Sequence, residues 1–116
     1  MHELSLSTAV VDTVERHAEG RTVTRVNLTV GALRQVVPDS LDFYFGIVAR
    51  GTLCERAELR QTLVEGRARC DGCGHEWELD LPLFRCPVCG AGARPVAGEE
   101  FMVETIEVSD EQEVAA

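Results

Sequence analysis

The sequence predicts an α+β fold, in which two helices pack on a small three-stranded sheet and a cysteine-rich module is inserted before the last strand. Three observations predict it: two stretches with apolar residues at helical spacing, three strand-like stretches, and a segment rich in Cys, Gly and Pro lying between the second and third of those strands. From Leu4 to Ala18 the residues Leu4, Val10, Val11, Val14 and Ala18 recur at three-, four- and seven-residue steps, which is one face of a helix. Glu3 falls in its first turn and Gly20 follows its last periodic residue as a stop. Thr22 to Val30 alternates Thr24, Val26, Leu28 and Val30 with Val23, Arg25, Asn27 and Thr29, the pattern of a half-buried strand, and Gly31 ends it.

Pro38 opens the second helix with Asp39 and Ser40 in its first turn. Leu41, Phe45 and Val48 line one face, Gly46 weakens it locally, and Gly51 lies just past the end. Leu59 to Val64 and Phe101 to Val108 are the remaining strands. The expected division is residues 1–66 with 99–108 as one α+β domain, 67–98 as the inserted module, and 109–116 as a flexible acidic tail.

Composition narrows the chemistry. The 116 residues are 45% apolar and 27% charged, a globular balance, and no apolar run approaches the roughly 20 residues of a membrane helix. All 11 basic residues are arginine. Without lysine this chain carries no P-loop, Schiff-base or pyridoxal chemistry of its own. A net charge of -9 argues against nucleic acid, whose phosphates need a basic face, and favours cations and proteins as partners. The first 20 residues contain Glu3, Asp12 and Glu15 and lack the basic start and apolar stretch of a secretory signal, so the expected compartment is the cytoplasm. Thiols stay reduced there, and paired cysteines read as a metal site before they read as disulfides.

Cys70-Asp71-Gly72-Cys73 and Cys86-Pro87-Val88-Cys89 are two CxxC turns, each followed by a glycine, Gly74 and Gly90. Each turn places two sulfurs on one side of an ion, and the glycine permits the left-handed backbone that lets amides approach the thiolates. Two such turns close a tetrahedral shell for Zn(II), giving a zinc ribbon. A single iron in the same cage and a pair of redox dithiols are the alternatives. A four-sulfur shell has no open position, which points to a structural ion rather than a catalytic one. His75, Trp77 and Leu79 alternate with Glu76, Glu78 and Asp80 as a short strand beside it. The module's four arginines balance Asp71, Glu76, Glu78 and Asp80, so it too lacks a basic face.

The chain opens Met1-His2-Glu3. The Met1 amine, the His2 amide nitrogen and the His2 imidazole can close adjacent chelate rings on one ion, and a nitrogen-rich set of this kind suits divalent nickel or copper. A cation at a helix N-terminus opposes the helix dipole and needs negative charge nearby, for which Glu3 is the obvious source and Asp39 a second.

Met1-His2-Glu3, the Gly31-Ala32-Leu33 to Val37-Pro38 junction, the Arg69-Cys70-x-x-Cys73-Gly74 and Cys86-Pro87-x-Cys89-Gly90 knuckles and Gly98-x-Glu100 together resemble the HypA/HybF family of hydrogenase nickel-incorporation proteins, in order and over nearly the whole chain. The resemblance implies a nickel metallochaperone, not an enzyme, that serves nickel-iron hydrogenase maturation. It implies His2 as the nickel residue, Glu3 in nickel binding or transfer, and Cys70, Cys73, Cys86 and Cys89 as structural zinc ligands. It implies a HypB-type GTPase and the hydrogenase large-subunit precursor as partners; the sequence leaves open whether the protein is a monomer or homodimer. Ala32 departs from the acidic residue expected of that pattern. Delivery to urease, a zinc-ribbon adaptor without nickel function, and a redox enzyme built on the CxxC pairs are the rivals. His17 reads as a helix-end histidine, His75 as a neighbour of the zinc site, Cys54 as a small buried filler, and Phe43, Tyr44 and Phe45 as core or interface aromatics.

Overall fold

A computed structural model describes residues 2–109 and 113–115, the last three as backbone alone. The elements in chain order are helix α1 (His2–Ala18), strand β1 (Val23–Gly31), a 3-10 turn (Ala32–Arg34), helix α2 (Pro38–Val48), and strands β2 (Glu58–Val64), β3 (Arg67–Cys70), β4 (Glu76–Glu78), β5 (Ala93–Ala97), β6 (Phe101–Val108) and β7 (Glu113–Ala115). They divide into two compact units, one of Met1–Thr29, Val36–Thr62 and Met102–Ala116, the other of Val30–Gln35 and Leu63–Phe101. No helix among the described residues is long and apolar enough to cross a membrane.

In the first unit α1 and α2 pack together. The periodic residues Val10, Val11, Val14 and Ala18 of α1 are buried, as are Leu41 and Phe45 of α2. Glu19 and Gly20 then turn left-handed, with φ of 53° and 80°, and end α1 where the glycine predicts. Val37 is held extended by the proline that follows it, and α2 starts at Pro38. Val23, Val26 and Leu28 of β1 share the core with Ile106 and Val108 of β6. The other face of the sheet is polar: Arg25 reaches Glu58 at 3.0 Å and Glu107 at 3.1 Å, and Asn27 donates to Thr105 at 2.9 Å. The two periodicities of the sequence therefore sort apolar side chains to one face and charges to the other.

The strand order is β2-β1-β6-β7. The expected three strands form a contiguous set, and the sheet gains a fourth, β7, from the segment expected to be a flexible tail. It pairs antiparallel with β6 through Thr105 opposite Ala115 and Glu107 opposite Glu113. The rest of the tail expectation, at 110–112 and 116, lies outside the described residues.

The second unit carries a three-stranded antiparallel sheet in the order β4-β3-β5. The alternation of β4 is plain in the sequence; that of β3, Arg-Ala-Arg-Cys with Ala68 and Cys70 buried, runs for only four residues, and Ala-Arg-Pro-Val-Ala of β5 carries no apolar period. Charge helps hold the pairings, with Arg69 and Arg67 of β3 on Glu76 of β4 at 2.7 and 3.5 Å, and Arg94 of β5 on Asp71, just past β3, at 2.8 Å. A bulge skips Val96, so that Arg67 faces Ala97 and Ala68 faces Pro95. Gly66 and Gly98 close this unit: Gly98 has φ +104°, and a β-carbon there would stand 2.5 Å from the Gly66 Cα, so both backbones need glycine to meet.

Candidate metal centres

The two CxxC turns are built alike. The amide of Gly74 donates to the Cys70 carbonyl at 3.2 Å and that of Gly90 to the Cys86 carbonyl at 2.9 Å. Gly74 and Gly90 take φ of 78° and 77°, which turns the chain so that amides face sulfur. Gly72 and Cys73 donate to Cys70 Sγ at 3.2 and 3.3 Å, and Val88 and Cys89 donate to Cys86 Sγ at 3.3 and 3.5 Å. Cys70 and Cys86 are buried, 2% and 3% exposed, while Cys73 and Cys89 reach the surface.

The four sulfurs lie within 4.8 Å of one another. Cys70 and Cys89 stand 3.4 Å apart and Cys73 and Cys86 3.7 Å apart. A tetrahedron with metal–sulfur bonds of about 2.3 Å has sulfur–sulfur edges of roughly 3.8 Å, so the spacing fits a tetrahedral ion. The donor set fits as well, since four thiolates suit a soft or borderline divalent metal.

The amide of Cys73, aided by that of Gly72, pulls the Cys70 thiol down to about 6 against the opposing effect of burial. At Cys86 burial pushes upward, but the Cys89 and Val88 amides outweigh it and the thiol is lowered. At Cys89 the Ala91 amide favours the thiolate, but the Cys70 sulfur, burial and the other two sulfurs together push it up to about 11. In each turn the amides favour the thiolate at the first cysteine, while the neighbouring sulfurs and burial oppose it at the second, where a divalent cation would favour ionisation.

His75 lies outside this cluster. Its ring stacks on Trp77, with centroids 5.6 Å apart and planes 12° apart, while its carbonyl accepts the Cys70 amide at 2.8 Å. Among the described residues no other group of three or more His, Cys, Asp or Glu side chains converges as a metal site. His17 Nδ1 sits 2.9 Å from the Thr13 carbonyl of its own helix. Cys54 is fully buried, and burial pushes its thiol up to about 11, which makes it a filler rather than a nucleophile.

At the chain start His2 is the first residue of α1 and half exposed, with Nδ1 3.9 Å from Glu3 Oε2. The same Glu3 oxygen accepts the Val37 amide at 3.3 Å. That hydrogen bond is the main reason the Glu3 carboxyl is held below its ordinary value. Asp39 lies in the first turn of α2, and Met1, whose amine is the other expected ligand, lies outside the described residues. The link from Glu3 to Val37 was not foreseen. Its signal is the four-residue step from Glu3 to Ser7 on the face that meets α2, where Ser7 donates to the Leu41 carbonyl at 3.3 Å.

Comparison with known proteins agrees with this architecture. A family described as "Hydrogenase/urease nickel incorporation, metallochaperone, hypA" matches residues 1–108. A hydrogenase maturation factor HypA from Geobacter sp. (strain M21) is 44% identical over 109 residues, 93% of this chain and 99% of that one. One from Streptomyces avermitilis is 42% identical over 117 residues, 95% of this chain and 88% of that one. The solution structure of the Ni metallochaperone HypA from Helicobacter pylori superposes with a TM-score of 0.67 over 91% of this chain and 96% of that one at 19% identity, a likeness of fold. With a family match spanning nearly the whole chain, and relatives this similar along almost all of their own length, this chain belongs to the HypA family of hydrogenase/urease nickel-incorporation metallochaperones.

Proposed function

We propose that this chain binds Ni(II) as cargo at its N-terminus through His2 and delivers it during maturation of nickel-iron hydrogenase, with a structural Zn(II) held by Cys70, Cys73, Cys86 and Cys89. The observation that carries the nickel assignment is a half-exposed imidazole on the first turn of α1 beside an ionised carboxylate. The Met1 amine and the His2 amide and imidazole nitrogens form the chelate, and Glu3 offsets the unfavourable helix dipole. Imidazole and amine bind metal only when deprotonated, so nickel affinity falls as pH drops. Exposure is what a carrier needs, because incoming ligands of the client can displace His2 stepwise.

Zn(II), when bound, supplies no open coordination position; it closes residues 67–98 as the zinc-ribbon domain, while residues 1–66 and 99–108 carry the nickel. The partners on this reading are a HypB-type GTPase, which supplies the nucleotide chemistry a lysine-free chain lacks, and the hydrogenase large-subunit precursor, all in the cytoplasm. Hydrogenase is favoured over urease as the client because the matched relatives are named hydrogenase maturation factors.

The test is metal content and nickel titration of untagged protein beginning at Met1, wild type beside His2→Ala. We expect about one tight zinc in both and nickel bound by wild type alone. Nickel binding by His2→Ala as tight as wild type refutes the site, and zinc without His2-dependent nickel leaves a zinc-ribbon adaptor. Residues appended before Met1 weaken nickel binding if the amine is a ligand.

A further inference from the structure

Resting on the nickel reading at His2, we infer that Glu3 is a positioning residue: by accepting the Val37 amide its carboxylate pins the first turn of α1 to the start of α2 and holds His2 in place without ligating the ion.

Three observations carry this. The Glu3 side chain is only 15% exposed against 50% for His2, so of the two neighbours one is presented to solvent and the other is turned inward to the protein. Its Oε2 accepts the amide of Val37, the residue that precedes Pro38 at the N-terminus of α2. In a capping box the N-cap amide is taken by an acidic side chain from the first turn of the same helix; at Val37 it is taken instead by a carboxylate from α1. One turn further along α1, buried Ser7 donates to the carbonyl of Leu41, four residues after Val37. Glu3 to Val37 and Ser7 to Leu41 are therefore two rungs in register between the same two helices, and the outer rung is adjacent in sequence to His2.

The ligand role fits this geometry less well. Glu3 Oε2 stands 3.9 Å from His2 Nδ1. Two donors on adjacent corners of one ion with bonds of about 2.1 Å stand roughly 3 Å apart. To join the ion, Oε2 has to close on the imidazole by roughly 1 Å, away from the position in which it accepts the Val37 amide.

The experiment is a nickel titration of Glu3→Ala, Glu3→Gln, Ser7→Ala, His2→Ala and wild type, with the absorption spectrum of each nickel complex and the exchange rate of the Val37 amide in the metal-free proteins. Glu3→Ala should speed exchange at Val37 and weaken nickel binding about five- to tenfold, the scale of a lost cap. Glu3→Gln keeps an oxygen that accepts the Val37 amide; it should restore slow exchange, bring nickel affinity to within about threefold of wild type and leave the nickel spectrum unchanged. Ser7→Ala loosens the helix pair without touching Val37, and nickel affinity should stay within about twofold of wild type, separating position from overall stability.

Glu3→Gln binding nickel as poorly as Glu3→Ala, with an altered spectrum, would make Glu3 a ligand and overturn the inference. So would Glu3→Ala binding nickel as wild type does. If His2→Ala retains nickel, the nickel reading itself fails, and exchange at Val37 still reports whether the Glu3 rung exists.

Discussion

Cys70→Ser is the sharpest test of how the cysteine-rich unit holds together. Its apolar burial is slight: Val30, Leu33 and Ala68 are its buried apolar side chains apart from Cys70 and Cys86. Together they contribute on the order of 5 kcal/mol of transfer free energy, whereas a structural four-ligand zinc supplies roughly 10 kcal/mol or more of folding free energy. The metal term is the larger. Cys70 is also the buried sulfur that collects the amides of Gly72 and Cys73, and a serine oxygen is a poor replacement ligand for a soft site. We therefore expect Cys70→Ser to lose stoichiometric zinc and the amides of β3 and β5 to exchange freely, while those of β1 and β6 next to Val26, Leu28 and Ile106 stay protected. Elemental analysis and peptide-resolved hydrogen exchange measure both.

Acid should reproduce the mutant in wild type. Because the Cys70 thiol is held at about 6 in the folded chain, below its ordinary value of 9.0, its stabilising contribution is present above that ordinary value and is lost as pH falls through 6. That value belongs to the metal-free chain; with zinc bound, protons compete with the metal in the same direction, so zinc retention declines as pH falls. Cys70→Ser with one tight zinc per chain and unchanged exchange in β3 and β5 would refute the four-sulfur shell as the source of this unit's order.

Leu41→Ala should cost the helix-sheet unit about 2–5 kcal/mol in chemical denaturation, since the Leu41 side chain is fully buried; a loss below about 1 kcal/mol would show that the site collapses around the cavity. Cys54 should resist a thiol reagent in native, zinc-loaded protein at pH 8 and react on unfolding, because its buried thiol is pushed up to about 11; rapid native labelling would show that this part of the core opens readily.

Much of the fold was legible because two periods were strong. Val10, Val11, Val14 and Ala18 announce one helix, Val26 and Leu28 announce one strand, and Pro38 and Gly51 bracket a second helix. The cysteine geometry was legible too, since CxxC followed by glycine allows few backbone conformations. What escaped were features whose period is short or missing. Strand β3 alternates over four residues only and β5 not at all; charge pairs and the cysteine turns align them, and β7 exists because β6 offers an edge. The bond from Glu3 to Val37 was missed for a different reason: the step from Glu3 to Ser7 marks a shared face, but its partner 34 positions away is met only after both helices have formed.

The two candidate centres solve opposite chemical problems, and the polypeptide around each reflects this. At the cysteines the site is built from two tight turns: backbone amides within each turn point at sulfur, and two of the four ligands are buried. An ion held there by four thiolates is tied to the folding of the unit around it, so releasing it costs the order of that unit, and it stays. At His2 the side chain that would take nickel is solvent-facing, and the protein's rigid contribution is made one residue away, by Glu3 on Val37. A ligand presented by a supported turn, rather than enclosed by a cage, can bind with useful selectivity and still be reached by a competing ligand from a client. If Glu3 supports the turn without joining the ion, affinity can be adjusted at the rung while the exposed coordination sphere, and hence the route for release, stays the same.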